Sequence, residues 1–166
     1  MSVLGLHAND SWQVDAEAAD LVRPAIIPIP VYFEALPKPV TIDLARTALL
    51  IVDMQNDFCH PAGWLASIGV DTGPACKPIA GFWDTALDSI LRNLGLTTLL
   101  FVGVNLGQSV PHTMADASFL GYDTLLLEDC AATTNPTFCR DATLLNIRQS
   151  FGFTLLSHSL IEALSA

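Results

Sequence analysis

The stretch TTLLFVGVNLGQSVPHTMADASFLGY, residues 97–122, predicts a buried strand, a sharp turn and a helix. Its first eight residues are mostly apolar or β-branched, which is typical of a parallel strand covered on both faces. The turn at residues 105–107 contains residue types that tolerate unusual backbone angles. Apolar residues then recur at helical spacing from Val110, and Gly121 suits a left-handed helix end. Ser109 is therefore expected at the carboxyl end of a sheet and at a helix N-terminus, where open α/β sheets bind ligands.

The other apolar segments alternate between strand and helix patterns. Strand patterns occupy residues 47–52, 122–127 and 153–156, and helix patterns occupy residues 83–94, 137–151 and 158–164. Since strands that alternate with helices form parallel sheets with right-handed crossovers, the sequence predicts an α/β fold. We expect a three-layer α/β/α domain built on one doubly wound sheet.

Residues 1–45 are interpreted as an extension to this domain. A weak helical pattern from Val14 to Val22 ends at Pro24. Five of the ten prolines then fall between residues 24 and 39, and prolines this dense predict an extended arm rather than a central strand. The arm is expected to lie over the surface or over a neighbouring chain.

The composition excludes several classes of function. Seven Lys and Arg residues against 17 Asp and Glu residues give a net charge of −10, and a surface this negative repels nucleic acid. No apolar run reaches the roughly 18 residues that span a membrane, and no secretory signal is expected. Neither the four cysteines nor His60 shows the spacing of metal ligands. The cysteines predict reduced thiols in a cytoplasmic protein.

A carboxylate follows the strand predicted at residues 47–52. The carboxyl ends of parallel strands meet at one edge of a sheet, so Asp53 is expected beside Ser109. The functional interpretation is a catalytic carboxylate. The alternative is an Asp that only ends the strand and caps the next turn.

Five blocks of sequence resemble, in the same order, the isochorismatase-like cysteine hydrolases, which include ureidoacrylate amidohydrolases and biuret hydrolases. The blocks are ALLIVDMQNDFCHP (48–61), GFWDTALDSILRNLG (81–95), LLFVGVNLGQSV (99–110), TMADASFLGYD (113–123) and LLLEDCAATT (125–134). The resemblance implies a Rossmann-like domain at residues 46–166. It also implies hydrolysis of a C–N bond in a small amide or ureide, without a metal or another cofactor.

The resemblance also assigns roles to individual residues. The family uses an Asp, a Lys and a nucleophilic Cys, with an oxyanion hole next to a cis peptide. Asp53 matches the Asp, and the cis peptide is expected between Val104 and Asn105. Val104, Asn105 and Gly107 are then the expected oxyanion-hole residues. Ser109 stands where the family has its Cys.

A serine at this position predicts impaired catalysis. An Asp carboxylate can take a proton from a thiol, whose pKa is about 8.5. A serine hydroxyl is a far weaker acid and normally requires a better base, such as His. Ser109 is therefore interpreted as a slow nucleophile, as a silent residue or as a substitution that traps ligand.

The catalytic Lys has a poorer match. Counting back from Gly81 reaches Cys76, so Lys77, one position away, is the candidate, and a surface lysine is the alternative.

The chain here lacks a middle region that the family places between these blocks, which predicts a sheet shortened at one edge. That edge is the strand at residues 47–52. An apolar edge needs cover, so we expect a homo-oligomer or the proline-rich arm to cover it.

Six more side chains are candidates for substrate contacts. They are Gln55, Phe58, Trp64, Phe82, Trp83 and His112. Their aromatic members predict walls of an apolar pocket, with ordinary core packing as the alternative. Two functions remain open: an altered hydrolase of a small amide or ureide, and an inactive relative that binds ligand or forms an oligomeric scaffold.

Overall fold

The computed structural model describes residues 2–5, 11–20, 22, 25–53, 81–83 and 85–165. The predictions made for Lys77, Gln55, Phe58 and Trp64 lie outside these residues. Among the helices that the structure describes, none is both long enough and apolar enough to cross a membrane.

A parallel sheet of four strands, which lie side by side in chain order, forms the centre of the domain. These strands are β6 (Thr47–Val52), β7 (Thr98–Val104), β8 (Asp123–Ala132) and β9 (Phe153–Leu155). The helices are α1 (Leu87–Asn93), α2 (Ser109–Phe119), α3 (Thr137–Asn146), which continues as a π-helical turn (Ile147–Phe151), and α4 (Ser157–Ser165). The predicted α/β fold is confirmed.

The two faces of the sheet carry separate apolar cores because side chains alternate along a strand. Leu99 and Phe101 of β7 are fully buried on the face covered by α1, α2 and α3. Leu100 is buried on the other face, where Phe33 and Ile42 of the N-terminal extension and the helix α4 pack. The result is the three-layer arrangement that the alternating pattern predicts.

The helical interpretation of the first 24 residues is wrong. The described part of this segment forms an antiparallel sheet of β1 (Ser2–Gly5), β2 (Ser11–Val14) and β3 (Ala19–Asp20). The carboxylate of Asp15 accepts the amide protons of Glu17 and Ala18 at 3.0 and 2.9 Å. This side-chain turn competes with helix formation and joins β2 to β3 instead.

The proline-rich arm folds as a hairpin. Strands β4 (Pro30–Phe33) and β5 (Val40–Asp43) pair antiparallel, and a 3₁₀ turn (Leu44–Arg46) leads into β6. Leu36 exchanges two backbone hydrogen bonds with Thr154 of β9, at 2.8 and 2.9 Å. The arm therefore covers one face of the sheet and pairs with the β9 edge. The sequence suggested it as a cover for the β6 edge.

Strand β6 is an edge of the sheet in the described part of the chain, as predicted. Ala48, Leu50 and Val52 pack against the core on the helix side. On the opposite side, Leu49 and Ile51 are 52% and 62% exposed. Leu49 pairs with Leu100, so both side chains lie on the face that the arm covers, and the arm leaves the β6 part of that face exposed.

Two predicted elements differ in their bounds. The helix predicted from residue 83 begins at Leu87, because the Thr85 hydroxyl donates to the carbonyls of Gly81 and Phe82 in a preceding turn. The strand predicted to end at residue 127 continues to Ala132 as part of β8. A register shift lets Ala131 and Ala132 pair with the last two residues of β7. That extension carries β8 to the turn that precedes Ser109.

Candidate functional site

The ends of β6 and β7 bring Asp53 next to the turn before Ser109. Val52 pairs with Gly103 in the parallel ladder, so Asp53 follows on one strand where Val104 follows on the other. Gly103 has φ +120°, and a Cβ placed on it would overlap the Val52 carbonyl oxygen. Only glycine permits this close approach and this backbone conformation. Asp53 therefore lies beside the end of β7, where the turn that leads to Ser109 begins.

Asp53 has an unusual backbone conformation. Its φ of 54° makes it a non-glycine residue in the left-handed region, which Asp and Asn tolerate better than most residues. Such conformations cost free energy and are concentrated at functional sites. Asp53 lines a cavity of about 270 Å³ with Leu50, Val52, Leu87 and Thr113. Asp53 thus borders a cavity large enough for a small ligand.

Ser109 is the first residue of α2 and is fully buried. Its Oγ accepts the Asn105 N–H at 3.2 Å and donates to the Val104 carbonyl at 3.3 Å. The Val104–Asn105 peptide is cis, as the family resemblance implied. The hydroxyl therefore makes hydrogen bonds with both the carbonyl and the N–H of this peptide.

The turn between β7 and α2 is organised by the side chain and carbonyl of Asn105, which is fully buried. The Gly107 N–H donates to Asn105 Oδ1 at 2.8 Å, and the Gln108 N–H donates to the Asn105 carbonyl at 3.0 Å. The N–H of Leu106 donates to the Ala132 carbonyl of β8 at 2.8 Å. Of the residues expected to form an oxyanion hole, Asn105 donates its N–H to Ser109, while Gly107 donates its N–H to Asn105 within the turn.

Thr113 connects the Asp53 cavity to the start of α2, and sequence reasoning missed it. Its hydroxyl donates to the Ser109 carbonyl at 2.8 Å, and it is buried. Gly81 packs against it so closely that a Cβ on Gly81 would lie 2.9 Å from Thr113 Oγ1. The available signal was the spacing of four residues from Ser109, which places both on one helix face.

The aromatic residues Phe82 and Trp83 line a second cavity, of about 260 Å³, with Asp88, Asp116 and Leu120. Phe82 is buried and packs on Tyr122, with ring centroids 5.8 Å apart, so the core alternative describes it well. Trp83 is 74% exposed. His112 is exposed on α2. Neither aromatic residue is among the described residues that line the Asp53 cavity.

The second cavity is bordered by a polar cluster. Asp88 accepts hydrogen bonds from Arg92 at 3.0 Å and from the Tyr122 hydroxyl at 2.8 Å. The Arg92 and Tyr122 hydrogen bonds lower the pKa of Asp88. Burial, and then the hydrogen bond to Asp88, raise the pKa of Tyr122. The ionised Asp88 of α1 is thus hydrogen-bonded next to this cavity to Tyr122, which follows the end of α2.

Metal ligands are not clustered in the part of the chain that the structure describes. No group of three or more His, Cys, Asp or Glu residues there has a metal-binding arrangement. The two described cysteines, Cys130 and Cys139, are both free thiols.

Comparison with known proteins identifies the family. Residues 76–159, just over half of the chain, match the model of the isochorismatase domain. Ureidoacrylate amidohydrolase RutB of Klebsiella pneumoniae is 40% identical over 86 residues, which cover 52% of this chain and 36% of that protein. RutB of Klebsiella variicola matches equally well. The chain thus spans about a third of the length of these curated relatives.

Solved structures share the fold at low sequence identity. A cysteine hydrolase from Pseudomonas syringae pv. phaseolicola has a TM-score of 0.60 at 17% identity, covering 75% of this chain and 94% of that chain. An isochorismatase family protein from Desulfovibrio vulgaris has a TM-score of 0.55 at 18% identity, covering 73% of this chain and 99% of that chain. With the fold and the domain match in agreement, this chain belongs to the isochorismatase family.

Proposed function

We propose that Asp53 and Ser109, at the carboxyl end of the parallel sheet, form the reaction site of a hydrolase that cleaves a C–N bond in a small amide or ureide. The observation that carries this proposal is the hydrogen bond from the Asn105 N–H to Ser109 Oγ, at the sheet edge that Asp53 also borders. The similarity to ureidoacrylate amidohydrolase RutB supports the choice of bond.

Ser109, Asp53 and Asn105 each have a role in the proposed reaction. Ser109 Oγ attacks the carbonyl carbon of the substrate, and its proton passes to the Asp53 carboxylate. The Asn105 N–H then donates to the oxygen that gains negative charge, as in other oxyanion holes. Asp53 returns the proton to the departing nitrogen when the C–N bond breaks. Water hydrolyses the acyl ester and restores Ser109. Lys77, outside the described residues, stays a candidate for a further catalytic contact.

Turnover is proposed to be slow because residue 109 is a serine. Its hydroxyl donates to the Val104 carbonyl, so that hydrogen bond must break before the proton reaches Asp53. Asp is also a poor base for an alcohol, and the described His112 is exposed on α2 rather than hydrogen-bonded to Ser109. A thiol at this position would remove both obstacles, since it is a weak hydrogen-bond donor and a stronger acid.

The same hydrogen bonds favour a second candidate function. Both the donor and an acceptor site of Ser109 are occupied by backbone groups, which is how a purely structural serine is held. In this candidate the chain is an inactive relative that keeps the cavity beside Asp53 for binding a small molecule, or serves as an oligomeric scaffold. The two candidates differ in whether residue 109 forms a covalent bond with substrate.

The experiment that separates them compares the parent, Ser109→Cys and Ser109→Ala on a panel of ureides and primary amides. Release of ammonia is the readout, with circular dichroism to confirm folding. We expect Ser109→Cys to exceed the parent by about 100-fold, the scale of effective proton transfer to a base, and Ser109→Ala to be inactive. If folded Ser109→Cys is as inert as Ser109→Ala, the hydrolase is rejected in favour of the inactive relative.

The proposal extends to a cytoplasmic homo-oligomer. Leu49 and Ile51 on the β6 edge are more than half exposed, and such edges invite pairing with another chain. Light scattering on the parent and on Ile51→Lys tests this, with Leu164→Lys on the exposed side of α4 as the control. We expect the parent to exceed the mass of one chain and only Ile51→Lys to reduce it. A parent of one-chain mass contradicts the oligomer.

A further inference from the structure

Gly107, in the turn that leads to Ser109, packs against the side chain of Asn135. A Cβ on Gly107 would overlap Asn135 Nδ2 and lie 3.1 Å from Asn135 Cγ. The same point lies 3.5 Å from Asn105 Oδ1, which accepts the Gly107 N–H. The carboxamides of Asn105 and Asn135 therefore both lie next to Gly107.

Asn135 comes from the connection between β8 and α3, which contacts the turn at a second point. The carbonyl of Ala132, at the end of β8, accepts the Leu106 N–H at 2.8 Å. Asn135 is itself held, since its N–H donates to Thr133 Oγ1 at 3.1 Å and Pro136 follows it with φ −51°. A half-buried residue on a constrained connection can act as a rigid brace.

We propose that Asn135 is a positioning residue for the reaction site. Its carboxamide fills the place of a side chain on Gly107 and keeps Gly107 in position, so that the Asn105 carboxamide stays on the Gly107 N–H and the Asn105 N–H stays directed at residue 109. The chemical consequence rests on the proposed function, whereas the bracing contact is independent of it. A neutral amide also suits this place, because a carboxylate here would repel negative charge that develops on residue 109 or on the substrate oxygen.

The first test is a double-mutant cycle between the two contacting residues. Gly107→Ala in the parent forces the new methyl group against Asn135 and should lower Tm. In the Asn135→Ala background the obstacle is gone, so the same substitution should lower Tm by less than about half as much, as expected for directly coupled residues. Equal Tm losses in both backgrounds overturn the contact. If Asn135→Ala does not fold, Asn135→Ser is the smaller substitution.

The second test measures residue 109 directly, without any substrate. In the Ser109→Cys background, the rate of alkylation of residue 109 by iodoacetamide is followed by peptide mass spectrometry, which separates it from the free thiols Cys130 and Cys139, from pH 6 to pH 10, a window of about two units around an ordinary thiol pKa. Asn135→Ala loosens the brace around a fully buried position and should speed alkylation. Asn135→Asp keeps the shape but adds a negative charge, so it should raise the thiol pKa and slow alkylation at pH 7 by at least about threefold.

The control is Asn146→Ala at the exposed end of α3, which should leave the alkylation profile unchanged. If Asn135 served only overall stability, both substitutions would lower Tm, but Asn135→Ala and Asn135→Asp would not change the alkylation rate in opposite directions. Profiles for both variants that match the control overturn the proposal. If the Asn135 variants change the alkylation rate as expected but the chain hydrolyses none of the substrates, the proposed function is rejected and the positioning role of Asn135 stands.

Discussion

Ser109 and Val104 are joined by a hydrogen bond in which the buried Ser109 hydroxyl donates to the Val104 carbonyl at 3.3 Å. The Asn105 N–H approaches the same hydroxyl from the other side of that peptide, at 3.2 Å. Residue 109 is therefore part of the packing of the turn as well as the candidate nucleophile. Any substitution there acts on both.

Ser109→Ala should destabilise the fold. It removes both hydrogen bonds of the Ser109 hydroxyl, and a typical buried hydrogen bond contributes about 0.5–1.5 kcal/mol. Urea denaturation should therefore show a free energy of unfolding lower by about 1–2 kcal/mol. Ser118→Ala on the same helix is the control and should change little. An unchanged free energy of unfolding for Ser109→Ala would mean that the two hydrogen bonds contribute nothing to stability.

Gly103→Ala should disrupt the edge where β6 meets β7. The new methyl group would overlap the Val52 carbonyl oxygen, at a φ of +120°. We expect a loss of about 3 kcal/mol or more in the free energy of unfolding, the range for severe backbone conflicts.

Gly121→Ala is the matched control for that substitution. Gly121 also has a positive φ, of +89°, but its Cβ would meet nothing within 4 Å. Only the left-handed backbone penalty applies, about 1–2 kcal/mol. Similar losses for both variants would show that backbone conformation alone, and not the close approach of β6 to β7, determines the cost.

Asp129 should make stability depend on pH at the acid end. The Ser157 hydroxyl, and then the Ser157 N–H, donate to this carboxylate at the start of α4 and lower its pKa. A carboxyl whose pKa is lowered by folding stabilises the fold above its unfolded pKa, about 3.9. That contribution is lost as the pH falls through the lower pKa of the folded state.

The measurement is thermal unfolding of the parent and Asp129→Asn from pH 7 down to pH 2. The parent should be more stable than Asp129→Asn at pH 7, and the difference should shrink as the pH approaches and passes below about 3.9. Glu162→Gln on the exposed side of α4 is the control. A difference in Tm that is constant over this range would contradict the conclusion that the hydrogen bonds from Ser157 stabilise the ionised Asp129 carboxylate.

Local pattern predicted the central part of the fold because the relevant signals are local. The apolar run of β7, the turn and the helical spacing from Val110 lie within a single stretch, residues 97–122. The placement of Asp53 beside this turn followed from the rule that parallel strands share a carboxyl edge. The pairing of Val52 with Gly103 then confirmed it.

The features that sequence reasoning missed depend on contacts between distant segments. Asn135 meets Gly107 only because β8 runs on to Ala132, beyond the end of its apolar run. The pairing of β2 with β3 depends on the turn at Asp15, which a weak helical pattern concealed. Such contacts are set by tertiary packing, which outweighs weak local propensity.

The central claim is that Asp53 and residue 109 act together on one substrate. Its most direct test is rapid-quench, intact-mass measurement of Ser109→Cys and of the double variant Ser109→Cys with Asp53→Asn, each mixed with the ureide and amide panel. Asn tolerates the backbone conformation of Asp53, so the double variant should fold. The account predicts an acyl adduct on residue 109 in Ser109→Cys and a much slower one when Asp53 is replaced. Equal adduct formation in both variants, or none in folded Ser109→Cys, would contradict it.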